Sequence, residues 1–458
     1  MLSAGVLGSR NHSNNHSNHH TVNANQPDWM EPRIAQLHKL MLRHDYKGHD
    51  PFDLPNSPLL SWMPDNWRVP QLLFSKFGSR IAPGWVRQAL RVPAIEDPKI
   101  YSCCYFAYRL LGDPWNGCAE AMLERLVAMA THADGVKTGG KTGGKTEAKL
   151  VGGTGANTEV NAPAGTEQSA LHWGYDYTWG TLYDGVNPRR AATLVPGAFA
   201  MLALLHEVIA FSGEKYRQPL LQSLRWYANR HRRDGASGTF LGYFTTSTIN
   251  THNANVLGCL ALSLGGKLIQ DQGYLALAAE ATQTTVAAVR DDGFIPYNDH
   301  PRGGWTDCFH HLYVVASLQG IAAVNPLVDK HNIQQKVARM MEYYRQHFLR
   351  DDGLLNYFPN RLHPIDPHNY AAAAIFAILT GDDASIQQAR ALLQRLDELA
   401  WNPNKESYTY RQHEGRKDER FFLRWTQVWM LLALAASCHP ARLKEQLEPY
   451  STLTKPAP

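Results

Sequence analysis

The chain has 458 residues, longer than an ordinary single domain but within reach of one large toroid or barrel. Its hydrophobic fraction of 44% is ample for a core. A net charge of only +4 implies no strong overall field for nucleic acid or for an anionic membrane.

Residues 1–28 are rich in Asn, His and Ser and are expected to be a disordered tail. Its first apolar run is too short for a signal peptide, and no stretch approaches about 18 uninterrupted apolar residues, so a cytoplasmic protein without a membrane span is expected. Residues 29–95 read as an N-terminal extension that packs on the main domain. The main domain is expected over 96–447, with a C-terminal tail at 448–458. Within it, residues 134–168 are Gly-, Thr- and Lys-rich and read as a flexible insertion. The "GGKT" repeats there lack the spacing and the preceding strand of a phosphate-binding loop.

Beyond the insertion a pattern recurs: "RRDGASGTF" from Arg232, "RDDGFIPY" from Arg290 and "RDDGLLNYF" from Arg350. Two helical segments follow each mark. The first is apolar all round, as in "NVLGCLALSLGG" or "AAAAIFAIL"; the second is amphipathic, as in "NIQQKVARMMEYYRQHFL". Extending the rhythm in both directions gives six helical hairpins, the last at 423–437 with 439–447. Apolar helices need burial on all sides, so the pairs predict an all-α (α/α)6 toroid with an inner ring wrapped by an outer one.

In such a ring every inner helix starts at the same mouth. The segments before those starts carry Trp173, Tyr175, Asp176 and Arg189; Asn250, His252, Asn253 and Asn255; Trp305, Asp307, His310 and His311; Asp366 and His368; and Arg424 with Trp425. Asp366 before Pro367 has the form of a helix cap, and Asp307 can cap in the same way. Capping leaves His252, His310, His311 and His368 unexplained on three successive hairpins, and imidazole suits general acid–base work near neutrality. His252, His310, Asp307, His368 and Asp366 are therefore the candidate catalytic set. Trp173, Tyr175, Asp176, Arg189, Asn253, Asn255, Trp305, His311, Arg424 and Trp425 are the candidate substrate contacts, with the tryptophans as stacking platforms and Arg189 or Arg424 neutralising an acidic group. No HExxH or paired CxxC spacing is present, so no metal and no cofactor is expected. The six cysteines predict buried free thiols in a reducing compartment.

Four segments in order, "YKGHDPFDLPNSPLL" (46–60), "NTHNANVLG" (250–258), "WTDCFHHLYVV" (305–315) and "HPIDPHNYAAAA" (363–374), resemble the exopolysaccharide-biosynthesis family named for the J component of the Vibrio polysaccharide cluster. The match runs through Asp50, Asp53, His252, Asn253, Asn255, Trp305, Asp307, Phe309, His310, Pro364, Asp366 and His368; Cys308 departs from it, standing where a polar residue is expected. The resemblance implies a cytoplasmic toroid protein tied to glycan production, with a saccharide or sugar nucleotide as substrate and other assembly proteins as possible partners. The residues favour epimerase, isomerase or lyase chemistry by histidine proton transfer. A glycoside hydrolase using rim carboxylates and a non-catalytic glycan-binding factor are the alternatives.

Overall fold

A computed structural model describes residues 29–60, 68–80, 83–132, 170–181, 184–380 and 382–453. The tail at 1–28 and the insertion at 134–168 lie outside the described residues. Three helices precede the ring: α1 (Met30–Arg43), α2 (Arg68–Arg80) and α3 (Gly84–Ala89). The ring is built from α4 (Pro98–Leu111) with α5 (Asn116–Ala128), α6 (Leu194–Ala210) with α7 (Arg217–His231), α8 (His252–Ile269) with α9 (Gln272–Ala288), α10 (Cys308–Val324) with α11 (Lys330–His347), α12 (Pro367–Thr380) with α13 (Asp383–Ala400), and α14 (Val428–Cys438). A last helix, α15, spans Pro440–Leu453.

The even-numbered helices from α4 to α14 each pack on the next, and α14 returns to α4, closing a six-membered inner ring. Their composition explains the placement. Every residue of α4 is buried, as is every residue of α8 from His252 to Gly266. The outer helices bury one face only; α11 buries Ile333, Val337, Met340, Tyr343 and Tyr344 and leaves its charges in water. Aspartates start helices of both rings: Asp97 accepts from the Lys99 amide, Asp307 from His310, Asp366 from His368, Asp271 from Tyr274 and Asp329 from Asn332. Short antiparallel hairpins, such as Arg232–Gly235 with Gly238–Leu241, carry the chain from outer to inner helices.

The sixth pair differs from the sequence expectation. The helix packed on α14 is α1, from the other end of the chain. Met30 meets Cys438 at 4.0 Å between sulfurs, and the Arg33 guanidinium clamps Asp397 of α13 at 2.9 and 2.8 Å. Helix α15 instead lies across the end of the ring opposite the mouth, touching α6, α10, α12 and α14. Arg442 and Gln446 donate to the Leu110 and Arg109 carbonyls, each at 2.7 Å, so α15 supplies the donors that the last turn of α4 lacks. Residues 448–453 of the expected tail belong to α15.

Candidate functional site

Helix phase decides which side chains reach the ring axis. Leu257 of α8, Leu312 and Tyr313 of α10, Ala372 of α12 and Trp429 of α14 line the apolar space inside the ring. One turn earlier on the same faces stand Asn253, Cys308 and Phe309, His368 and Trp425. On α4 the cavity-lining Phe106 is two turns beyond Lys99. The residues facing the axis at the mouth are therefore Lys99, Asn253, Phe309, His368 and Trp425, with His310 beside them, three residues before Tyr313.

His310 and His368 are held in different ways. The His310 Nδ1 lies 2.9 Å from both Asp307 oxygens, while Asp307 also caps α10. This pins the imidazole by one nitrogen and leaves Nε2 for the mouth. His368 is fully buried between Trp429 and Phe309, at ring centroid distances of 4.5 and 4.2 Å. Its Nε2 lies 2.7 Å from the Tyr313 hydroxyl, and its Nδ1 has no hydrogen-bond partner. Burial, then the nearby Lys99 charge, holds His368 well below the usual histidine range, so it is neutral. Phe309 touches both imidazoles, with its ring 3.9 Å from that of His310.

Lys99 is the residue that the sequence reading missed. It is 7% exposed, and its ammonium sits 4.9 Å from the Phe199 ring, 5.0 Å from Trp429 and 5.7 Å from Tyr313. Among the described residues no carboxylate pairs with it. Burial, reinforced by the Arg424 charge, pulls it down to about 8. The signal was in the sequence: Asp97-Pro98-Lys99 repeats the Asp366-Pro367-His368 pattern, so a shared cap sets Lys99 and His368 at the same helical position. Asp97 is buried as well, with its Oδ2 3.5 Å from the Arg424 Nε, and burial lifts its carboxyl to about 6.

The segment 46–60 reaches this mouth through Asp50. Arg424 donates to Asp50 at 2.7 Å and to the Tyr177 hydroxyl at 2.8 Å, and the Trp425 indole donates to the same Asp50 oxygen at 3.1 Å. Tyr175 stacks on Tyr177 and shares a hydroxyl contact of 3.0 Å with Tyr243. Asp53 turns away and binds Arg87 at 2.9 Å. Next to Asp307, a cavity of about 440 Å³ is lined by Trp305, Tyr357, Phe358 and Arg361. Trp305 is exposed on one face and stacks on Tyr297 at 4.5 Å with the other.

Several expected site residues face elsewhere. His252 points outward to α9, with Nδ1 3.3 Å from Thr285 Oγ1, while Nε2 lies 3.0 Å from Asp299 but off the line of a hydrogen bond. Asn255 binds the Ala281 carbonyl and Thr285, also on α9. His311 donates to the Met340 carbonyl of α11 at 2.9 Å and stacks on Tyr343. Trp173 is buried with its indole N–H on the Leu126 carbonyl at 2.8 Å, so it has no face for a sugar. Asp176 is held by Arg189 at 2.7 and 2.9 Å and by Arg190 at 2.6 Å, so its carboxylate is occupied by two guanidiniums and is not free to act on a substrate. Asp366 divides between capping α12 and a 2.7 Å pair with Arg411. The cysteines are free, and Cys308 is buried with its thiol pushed well up by desolvation. No group of three or more potential metal ligands occurs among the described residues.

The architecture is that of the α/α toroids. A possible member of the GH105 family from Salmonella enterica serovar Paratyphi A matches at a TM-score of 0.51 and 9% identity, over 93% of this chain and 97% of that one. A Listeria innocua protein matches at 0.51 and 10% identity over 90% and 97% of the two chains. The GH76 α-mannanase of Bacteroides thetaiotaomicron matches at 0.50 and 10% identity, over 74% and 85%. At these identities the likeness is one of fold. No protein-family model and no curated protein matches the chain, so the exopolysaccharide family stays a resemblance carried by the four motifs.

Proposed function

We propose that the protein is a carbohydrate-active enzyme of exopolysaccharide biosynthesis, working on a glycan or activated sugar by histidine proton transfer. One observation carries the reading: two imidazoles, one held by Asp307 and one by Tyr313, meet across Phe309 on the axis side of the mouth. With Nδ1–H held by the Asp307 carboxylate, His310 Nε2 is a base with a fixed lone pair. It removes a proton from a sugar carbon. The Tyr313 hydroxyl, backed by neutral His368, stands as the group that returns a proton or protonates a departing oxygen. Lys99 meets the negative charge that the substrate brings or develops; of the cations first expected there, Arg424 is paired with buried Asp50 and Arg189 is engaged, with Arg190, on Asp176. Trp425 and the exposed face of Trp305 offer stacking surfaces.

This chemistry fits an epimerase, isomerase or lyase. Hydrolysis is the second reading, and the Asp97 carboxyl favours it, since a group lifted to about 6 suits a general acid. We take the cytoplasm as its location and assembly proteins of the same pathway as its partners, on the strength of the motifs alone. The test is a proton NMR time course of the native protein with sugar nucleotides and acidic and neutral oligosaccharides in deuterated water. Deuterium entering at a ring carbon is the expected result. A new reducing-end signal without deuterium establishes hydrolysis instead, and broadening without chemical change reduces the protein to a glycan binder.

A further inference from the structure

Large apolar side chains are exposed unevenly over the described surface. Leu59, Val69, Leu73, Phe74, Phe77 and Trp85 are all exposed, and all six fall between residues 59 and 85. Scattered single exposures need no explanation, but a concentration of this kind marks a contact surface. Helix α2 shows its form. Val69, Leu73 and Phe77, spaced four apart, form one stripe and are 54%, 64% and 43% exposed. The opposite face, with Leu72, Ser75 and Gly78, is buried. Gly78 allows the close seating: a Cβ there would stand 2.7 Å from the Leu54 Cγ. The helix is therefore fixed with an apolar stripe turned to solvent, and Trp85 of α3 adds a 66% exposed indole.

Charge says what covers it. Residues 66–95 hold five Lys and Arg (68, 76, 80, 87 and 91) and no Asp or Glu, against a near-balanced 45 to 41 in the whole chain. Arg87 binds buried Asp53; Arg91 is exposed, and so is Lys76, whose ammonium stands over the Phe52 and Trp179 rings at 5.5 and 5.2 Å. A surface with an apolar interior and anionic headgroups gains from both the stripe and the basic bias. We infer that α2 and α3 dock the protein on an anionic lipid surface, with Leu73, Phe77 and Trp85 entering the headgroup boundary and Lys76 and Arg91 meeting the phosphates. No described helix is long and apolar enough to cross a membrane, so the contact lies in the interface plane. The docking face adjoins the mouth: α2 packs on Leu54–Asn56 and on Trp179–Thr181, and Phe52 beneath Lys76 lies 6.3 Å from Trp425.

The test is flotation of the full chain with phosphatidylcholine vesicles, alone or doped with phosphatidylglycerol. The native protein is expected to float with the doped vesicles, less so in high salt. Leu73→Glu with Phe77→Glu, both at exposed positions, should leave the melting temperature unchanged and weaken flotation by about tenfold or more, and Lys76→Glu should weaken it less. Flotation that survives the double variant places the contact elsewhere and overturns the inference, as does failure to float at all. So does a native dimer that the double variant converts to monomer, since the stripe is then covered by a second copy.

Discussion

His310 and His311 are neighbours on one helix and do opposite things. His310 is held by Asp307 with a nitrogen left for the mouth; His311, a hundred degrees around, is spent on the Met340 carbonyl of α11. The same split divides His368, at the axis, from His252, which faces Thr285 and Asp299 on the outer side. Residue type alone does not say which histidines of this ring reach the mouth and which tie the two rings together; helix phase does. A histidine facing out replaces water with a hydrogen bond between the two rings of helices and holds their spacing. A histidine at the inner side, as at 310 and 368, is held by a side chain of its own ring, Asp307 or Tyr313, and packs on Phe309.

The aspartate caps offer the sharpest way to break this division. Asp366 is buried, caps α12 and pairs with the half-buried Arg411, so Asp366→Ala removes a cap and a charge partner together. The expected loss is about 2–3 kcal/mol of stability in denaturant unfolding. Asp307→Asn, which keeps the capping oxygen, should cost about 1 kcal/mol or less yet lower any turnover strongly, because His310 loses its orienting carboxylate. Equal stability losses in the two would mean that Asp307 is only a cap.

His311→Gln tests the outward face. Burial pulls His311 down to about 4 from an ordinary 6.5, and His206 and His231 down to about 3. These imidazoles are neutral in the native protein and take up protons on unfolding below 6.5, so stability is present above that pH and falls as pH drops from 6.5 towards 4. The variant is expected to lose about 1–2 kcal/mol at neutral pH through its poorer bond to the Met340 carbonyl, and to show a shallower decline in acid. A slope identical to the native one would mean that His311 is already charged in the folded state.

Lys99→Met gives the smallest change in stability and tests the inner face from the other side. Removing a buried ammonium that no carboxylate meets should leave the melting temperature unchanged or raised. Binding of a uronate relative to the matching neutral sugar should fall about tenfold by calorimetry. In the native protein that preference should also fade as pH rises through about 8, where the amine loses its proton. An unchanged preference assigns the anion elsewhere.

Much of the fold was legible because apolar and amphipathic helices alternate with a fixed rhythm. The sixth outer helix was not, since rhythm along the chain pointed to the segment after α14, whereas ring closure recruited α1 from over 380 positions earlier, a pairing that no local period encodes. The candidate site was legible by position: Asp307, His310, His368, Arg424 and Trp425 do gather at the mouth. Trp173, His252, Asn255 and His311 were included on residue type, and only the side-chain directions on α8 and α10 and the seat of Trp173 against α5 remove them. Lys99 was passed over because its helix precedes the recognisable repeats, although its Asp-Pro cap repeats that of His368. The basic, acid-free run at 66–95 was hidden by a net charge averaged over the whole chain.

The direct measurement is solvent-deuterium incorporation into uronates and their neutral counterparts, followed by proton NMR for His310→Ala and His252→Ala side by side. If the imidazole that Asp307 holds beside the axis carries the proton, the native protein and His252→Ala label the same carbon, His252→Ala with a lowered melting temperature, while His310→Ala folds normally and labels nothing. Labelling that survives in His310→Ala, or that vanishes in a well-folded His252→Ala, would contradict the assignment of the inward face as the catalytic one.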